Sequence, residues 1–181
     1  EIMKKTGFVL IALSTLLLLG GTVGYTMEGA VDDVPTPNVQ GMVFFSDDPL
    51  PGNPASLIIN ADTTITWDRD DIFLVIADGD KKKQCDDIAK NGGALGGFDT
   101  TSKTCTYGDA GYVAAGDKGD AGVDWRVESG DFYAGIGTKE GLLPEGTELN
   151  LNYSVDLKLS ATGYMFLIIA EGAGVLLFRQ K

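Results

Sequence analysis

The stretch from Glu148 to Leu159 alternates without a miss: Leu149, Leu151, Tyr153, Val155, Leu157 and Leu159 are set against Asn150, Asn152, Ser154, Asp156 and Lys158. Successive side chains of a strand point to opposite faces, so a period of two held over that length specifies a strand with one buried and one wet face. Shorter runs upstream carry a related signature. Ser56–Asn60, Thr63–Trp67 and Ile72–Ala77 are β-branched or aromatic, each bounded by Asn, Asp or Gly. Val123–Val127 and Asp131–Gly137 are two more, separated by the turn Glu128-Ser-Gly-Asp131. The helical candidate among them is Gln84–Lys90, which runs into Gly92-Gly93. Many short strands with frequent turn signals predict a mainly β domain over residues 42–181. The expected form is an antiparallel β-sandwich or jelly-roll-like fold that opens near Met42-Val43-Phe44-Phe45.

Ahead of that domain, Met3-Lys4-Lys5 precedes an uncharged block, Thr6 to Tyr25, that contains Leu16-Leu17-Leu18-Leu19. A basic flank followed by an apolar block is the pattern of an export signal or a membrane anchor. A cleaved signal has an apolar core of roughly 7–15 residues, whereas a spanning helix needs about 20. Residues 1–27 therefore read as a retained hydrophobic anchor or uncleaved signal, with a cut after Thr22-Val23-Gly24 as the alternative. The membrane is then a partner through residues 6–25. With Lys4 and Lys5 on the cytoplasmic side, the positive-inside tendency places the rest outside, membrane-anchored or at the cell surface. Residues 28–41, acidic and interrupted by Pro35 and Pro37, read as an extended linker.

The second apolar block, Gly163 to Phe178, has two readings. As a helix it would be another membrane span, stopped by Arg179 and Lys181. It is short for that purpose, and it carries Glu171, Gly172 and Gly174 in its middle, where a charge costs roughly 2.5 kcal/mol or more. As a hairpin, Tyr164–Ala170 and Val175–Phe178 are strands joined by Glu171-Gly-Ala-Gly174, which suits a turn. The hairpin is the expectation, its last strand closing the sandwich or being lent to a neighbouring subunit.

Composition removes several kinds of chemistry. The net charge is −12, which repels nucleic acid, so no nucleic-acid partner is expected. Histidine is absent, which rules out Ser-His-Asp and Cys-His catalysis and a blue-copper site. Carboxylate pairs are numerous but none is singled out, so the chain reads as a non-enzyme. The two cysteines, Cys85 and Cys105, are most simply a disulfide in an oxidising compartment. Closing a loop of that size stabilises by roughly 3 kcal/mol through loss of unfolded-chain entropy.

The segment between Cys85 and Asp124 is rich in Gly and Asp and repeats Gly-Asp-Ala-Gly at Gly108 and Gly119, which reads as long loops pinned by the disulfide. Asp68, Asp70, Asp71, Asp78 and Asp80 are the candidate calcium ligands, because calcium takes six to eight oxygens in a flexible geometry. Their spacing matches no EF-hand loop, and a solvated acidic rim is the competing reading. Asn152-Tyr153-Ser154 is an N-glycosylation sequon. Trp67, Trp125, Tyr107, Tyr112 and Tyr133 would suit a sugar-stacking platform, although the two tryptophans alternate with strand residues and favour the core.

An apolar N-terminal helix ahead of a β-rich head resembles the layout of type IV and archaeal pilins, although Lys4 and Lys5 and the lack of helical continuation past Tyr25 depart from their long packing helix. The run Val123-Asp-Trp-Arg-Val-Glu-Ser-Gly-Asp-Phe-Tyr-Ala-Gly-Ile136, with Tyr153-Ser-Val-Asp-Leu157, resembles the later strands of secreted pre-peptidase C-terminal β-sandwich modules. Neither resemblance transfers a functional residue. The resulting expectation is a non-catalytic, membrane-tethered structural or interaction module whose partners are other protein subunits, itself included. A self-assembling surface filament subunit and an accessory subunit of a larger membrane complex are the alternatives.

Overall fold

A computed structural model describes residues 2–36, 42–92, 105–139, 143 and 146–179. The strongest expectation is met directly. Glu148–Leu159 is one unbroken strand, β8, and it lies inside a sheet with a neighbour on each edge. In chain order the elements are α1 (Ile2–Val23), β1 (Tyr25–Pro35), β2 (Val43–Phe45), β3 (Ile59–Trp67), β4 (Ile72–Asp78), α2 (Gly79–Gly92), β5 (Tyr112–Gly116), β6 (Val123–Arg126), β7 (Phe132–Thr138), β8 (Glu148–Leu159) and α3 (Ala161–Arg179).

The strands form two four-stranded sheets, ordered β1-β8-β3-β6 and β2-β7-β4-β5, and every pairing is antiparallel. Pairing runs from the outside of the sequence inward: β1 with β8, β2 with β7, β3 with β6, β4 with β5. This is one long hairpin rolled into two layers. It gives an antiparallel β-sandwich whose order is compatible with a jelly roll.

Between the sheets, Ile72, Leu74 and Ile76 of β4 meet Ala61, Ile65 and Trp67 of β3, with Val123, Trp125 and Leu149. Fully burying each such aliphatic side chain is worth about 1.5–3 kcal/mol. Trp125 packs edge-on against Phe132 at 5.3 Å between ring centres. The tryptophans are therefore core residues, as their alternation favoured. The other face of β4 is buried as well. Phe73 and Val75 pack with Val43, Phe45 and Tyr112, and Tyr107 tilts against Phe73 at 5.3 Å. A strand covered on both sides has no wet face, which is why Ile72–Ala77 reads as a continuous apolar run. Gly137 of β7 lies against the ring of Phe73, where any Cβ would sit 2.2 Å from the ring edge.

Helix α2 begins five residues before the expected Gln84. The Asp78 carboxylate accepts a 2.8 Å hydrogen bond from the Lys81 backbone N–H, a cap placed ahead of the first turn. The segment expected to be all loop also contains β5, which completes the second sheet. Ser56–Asn60 is mostly a turn, and only its last two residues enter β3.

Two further expectations are corrected. Residues 28–35 of the expected linker belong to β1, paired with β8 from Tyr25↔Leu157 to Pro35↔Glu148. The acidic residues are tolerated because β1 is an edge strand, and Pro35 sits at its end. A bulge between Val31 and Val34 places Asp33 at φ 58°, a conformation Asp tolerates better than most residues. Residues 37–41 lie outside the described residues. The expected hairpin at 163–178 is instead helix α3. Ser160 caps it, its Oγ accepting a 3.0 Å hydrogen bond from the Gly163 N–H. Of the glycines that suggested a turn, Gly174 serves a helix contact described next and Gly172 faces open space.

Candidate functional site

Helices α1 and α3 lie side by side and antiparallel. At the end far from the sandwich, Gly7 approaches the backbone of Gly174 and Phe178 so closely that a Cβ there would lie 2.7 Å from either. Farther along, the Thr15 hydroxyl donates to the Glu171 carboxyl at 3.3 Å. Next to the sandwich, the Tyr164 hydroxyl donates to the Gly21 carbonyl at 3.2 Å, and Gly21 abuts Leu159. Small residues let helix backbones approach where no hydrophobic effect would drive them together, and a hydroxyl answers a carboxyl placed among apolar groups. Gly7 and Thr15 were not singled out from the sequence, and Glu171 and Gly174 were read there as turn residues. Their signal was the lone acid and the glycines set inside otherwise apolar blocks.

The joints to the sandwich are one residue each. Gly24, at φ 75°, separates α1 from β1, and Ser160 separates β8 from α3. Because β1 and β8 are neighbours, the helices leave the sandwich together. Lys4, Lys5 and Arg179 consequently share the remote end of the pair. The outer surface of the pair is apolar and open: Phe8, Leu16, Leu19, Ile168, Ile169 and Leu176 are each at least 60% exposed. Both helices are long and apolar enough to cross a membrane, over Met3–Val23 and Ala161–Arg179.

Of the candidate calcium ligands, the carboxylates of Asp68, Asp71 and Asp78 are each engaged within the protein. Asp68 accepts hydrogen bonds from the Asn150 backbone N–H (3.1 Å) and side-chain amide (2.6 Å). The Asn150 backbone bond is the main cause of its lowered pKa. Asp71 takes a two-pronged hydrogen bond from Arg69 at 2.9 and 2.6 Å, which lowers the Asp71 carboxyl in turn. The Asp70 carbonyl accepts from Lys139 at 2.6 Å. Asp78 caps α2, and Asp80 sits exposed in its first turn, where the helix dipole favours an acid. Among the described residues, no group of three or more His, Cys, Asp or Glu side chains could hold a metal ion.

The disulfide Cys85–Cys105 joins α2 to the segment leading into β5, and both sulfurs are buried. Beside it, the buried ammonium of Lys81 lies 3.6 Å from Asp109 and 4.9 Å over the ring of Tyr112. Burial, and then the Asp109 charge, push the Tyr112 phenol up to about 12. The disulfide, α2 and this cluster cover the outer face of the second sheet. The five rings named as a stacking platform do not face one another: Trp67 and Trp125 are interior, Tyr107 and Tyr112 lie in this cover, and Tyr133 lies under Lys82. Asn152 is exposed on β8, opposite Ala30 and Thr66. A shallow depression of about 430 Å³ touches Asp62, Asp124, Trp125 and Arg126. Its carboxylates are held by Arg126 and Thr64.

No family model, curated protein or solved structure matches the chain.

Proposed function

We propose that this chain is a non-catalytic, membrane-anchored module. Helices α1 and α3 cross the bilayer as an antiparallel pair and hold the β-sandwich on the extracytoplasmic side for contact with other protein subunits. The observation that carries this reading is the helix pair: apolar outside, cationic at one end, and joined to a folded domain at the other. A helix apolar all round needs an apolar surround, and lipid supplies one. Cations at the remote end agree with the positive-inside tendency, and the disulfide agrees with an oxidising compartment on the sandwich side. The one-residue joints, with Gly21 against Leu159 and Gly163 against Ile58, keep the sandwich close against the helix ends, so a partner bound to either part would lie near the other.

Topology is tested with a membrane-impermeant thiol reagent on sealed cells, using single added cysteines. Val113→Cys on β5 should label in intact cells. Lys4→Cys should label only after permeabilisation, and Leu16→Cys and Leu176→Cys only in detergent. Labelling of Leu16→Cys in intact cells would sink the membrane reading.

A second reading, an accessory subunit inside a larger membrane complex, is favoured by Glu171. Its carboxyl lies about 15 Å along α3 from the sandwich end, near mid-span, and is half-exposed at the edge of the pair. Acidic groups at that depth mark contact or function. Co-purification in mild detergent that is lost in Glu171→Leu would support it. Self-assembly into a filament would use the helix surfaces or an edge strand such as β1, since the terminal segment is helical and is not a strand to be lent.

A further inference from the structure

The turn at residues 54–58 hangs beside the point where α3 enters the sandwich, and Ser160 clamps it there. The Ser160 hydroxyl donates to the Leu57 carbonyl at 2.6 Å, and its backbone N–H donates to the Ile58 carbonyl at 2.8 Å. The same hydroxyl caps α3. Gly163 lies so close that a Cβ would be 2.5 Å from the Ile58 carbonyl oxygen. Within the turn, Asn53 accepts from the Ala55 N–H at 3.1 Å and donates to the Ile59 carbonyl at 2.7 Å. This is a well-held loop at a defined height on the helix pair.

What it presents is apolar. Leu57 is 77% exposed and Ile58 44%. From Asn53 to Ala61 the chain has no charged residue. At the same height on α1 and its exit, Val23 and Tyr25 are exposed, and Tyr164 of α3 bonds to Gly21. Tyrosines at that level are typical of the boundary between lipid and water. The exposed side chains of the turn thus add an apolar patch near the sandwich end of the helices, with Arg126 and Glu128 lining the depression on its other side.

We infer that this turn is a third membrane contact, with Leu57 and Ile58 seated in the interfacial region of the outer leaflet. The partner is a lipid surface recognised by apolar burial. Charge attraction plays no part, because a chain of net charge −12 gains nothing from anionic headgroups. With two helices and one loop resting on the bilayer, the sandwich cannot tip about the helix axis, and its orientation to the membrane is set. This inference rests on the membrane reading above.

The test uses the full chain, disulfide intact, reconstituted in phosphatidylcholine vesicles. An environment-sensitive fluorophore is attached in turn to Leu57→Cys, Ile58→Cys, Leu16→Cys and Val113→Cys. Labels at 57 and 58 should emit to the blue of the label at 113 and be quenched at least twofold more by lipids brominated near the headgroup. A label at 16 should be quenched by lipids brominated deeper in the chains. If 57 and 58 behave like 113 while 16 is quenched, the helices span but the turn stays in water, and the inference is overturned alone. If 16 is also unquenched, the inference falls together with the membrane reading.

Discussion

The sandwich and the helix pair are both rich in aliphatic side chains and use them in opposite ways. In the sandwich, Ile72, Leu74 and Ile76 are fully removed from solvent by the chain itself. In the helix pair, Leu16 and Leu176 are each two-thirds exposed. One region supplies its own apolar surround, and the other depends on something else to supply it. Glycine divides the same way. Gly24 bends a joint at positive φ, while Gly7 and Gly174 bring two helix backbones into contact. An apolar run with glycines is therefore ambiguous until its surround is known.

The sharpest way to test this contrast is truncation on both sides of it. Leu74→Ala removes a wholly buried side chain and should cost about 2–5 kcal/mol in denaturant unfolding of detergent-purified protein. Leu16→Ala should shift the same curve by less than about 0.5 kcal/mol. Equal effects would mean that the helices carry part of the domain's core.

Next in size is the disulfide. The Cys85→Ser/Cys105→Ser pair should lose about 3 kcal/mol, read as a lower unfolding midpoint that reductant no longer changes. Because the bond pins the cover over Phe73, binding of a hydrophobic dye should rise in the variant.

Replacing Gly174 with leucine should separate the helices while leaving the sandwich folded, at a cost of about 1–2 kcal/mol. Loss of an engineered Thr15→Cys/Glu171→Cys cross-link, with near-ultraviolet circular dichroism retained, would report that outcome. If the sandwich melted as well, the helix pair would be part of the domain's cooperative unit.

The smallest effects concern the acidic loop. Asp68 and Asp71 titrate below the ordinary carboxylate range when folded, so their contribution is present above about pH 4 and is lost as pH falls through their lowered values. Asp68→Asn should lower stability slightly at neutral pH and leave it unchanged in strong acid, so that the acid limb of the profile becomes flatter. Since Asn150 and Arg69 already occupy Asp68 and Asp71, chelating calcium should shift the unfolding midpoint little. A clear drop would restore Asp68, Asp70 and Asp71 as metal ligands.

Much of the domain is readable one element at a time. β8 is legible because one of its faces is wet, and α1 because its apolar block is long and flanked by lysines. β4 is legible as a strand, but its cover is not, because burial on both faces erases the periodicity that would point to α2 and the disulfide. β1 is obscured by Glu28, Asp32 and Asp33, which an edge strand accepts without penalty. Of the candidate site, the disulfide was readable from two cysteines alone. Asp68 and Asp71 were visible as acids, while the partners that hold them were not.

By itself the chain determined a β-rich domain, its longest strand, an apolar leading helix, a cross-link, and the exclusion of histidine-dependent chemistry. Those follow from local periodicity and residue inventory, which a reader meets in order along the sequence. Only the tertiary structure decided that α3 is a helix and that it pairs with α1. The rolled pairing puts β1 beside β8, so the two ends of the domain emerge together. The second apolar block then finds a glycine-lined partner helix at hand, and a contact between residues more than 150 positions apart prevails over the local turn chemistry of Glu171 to Gly174.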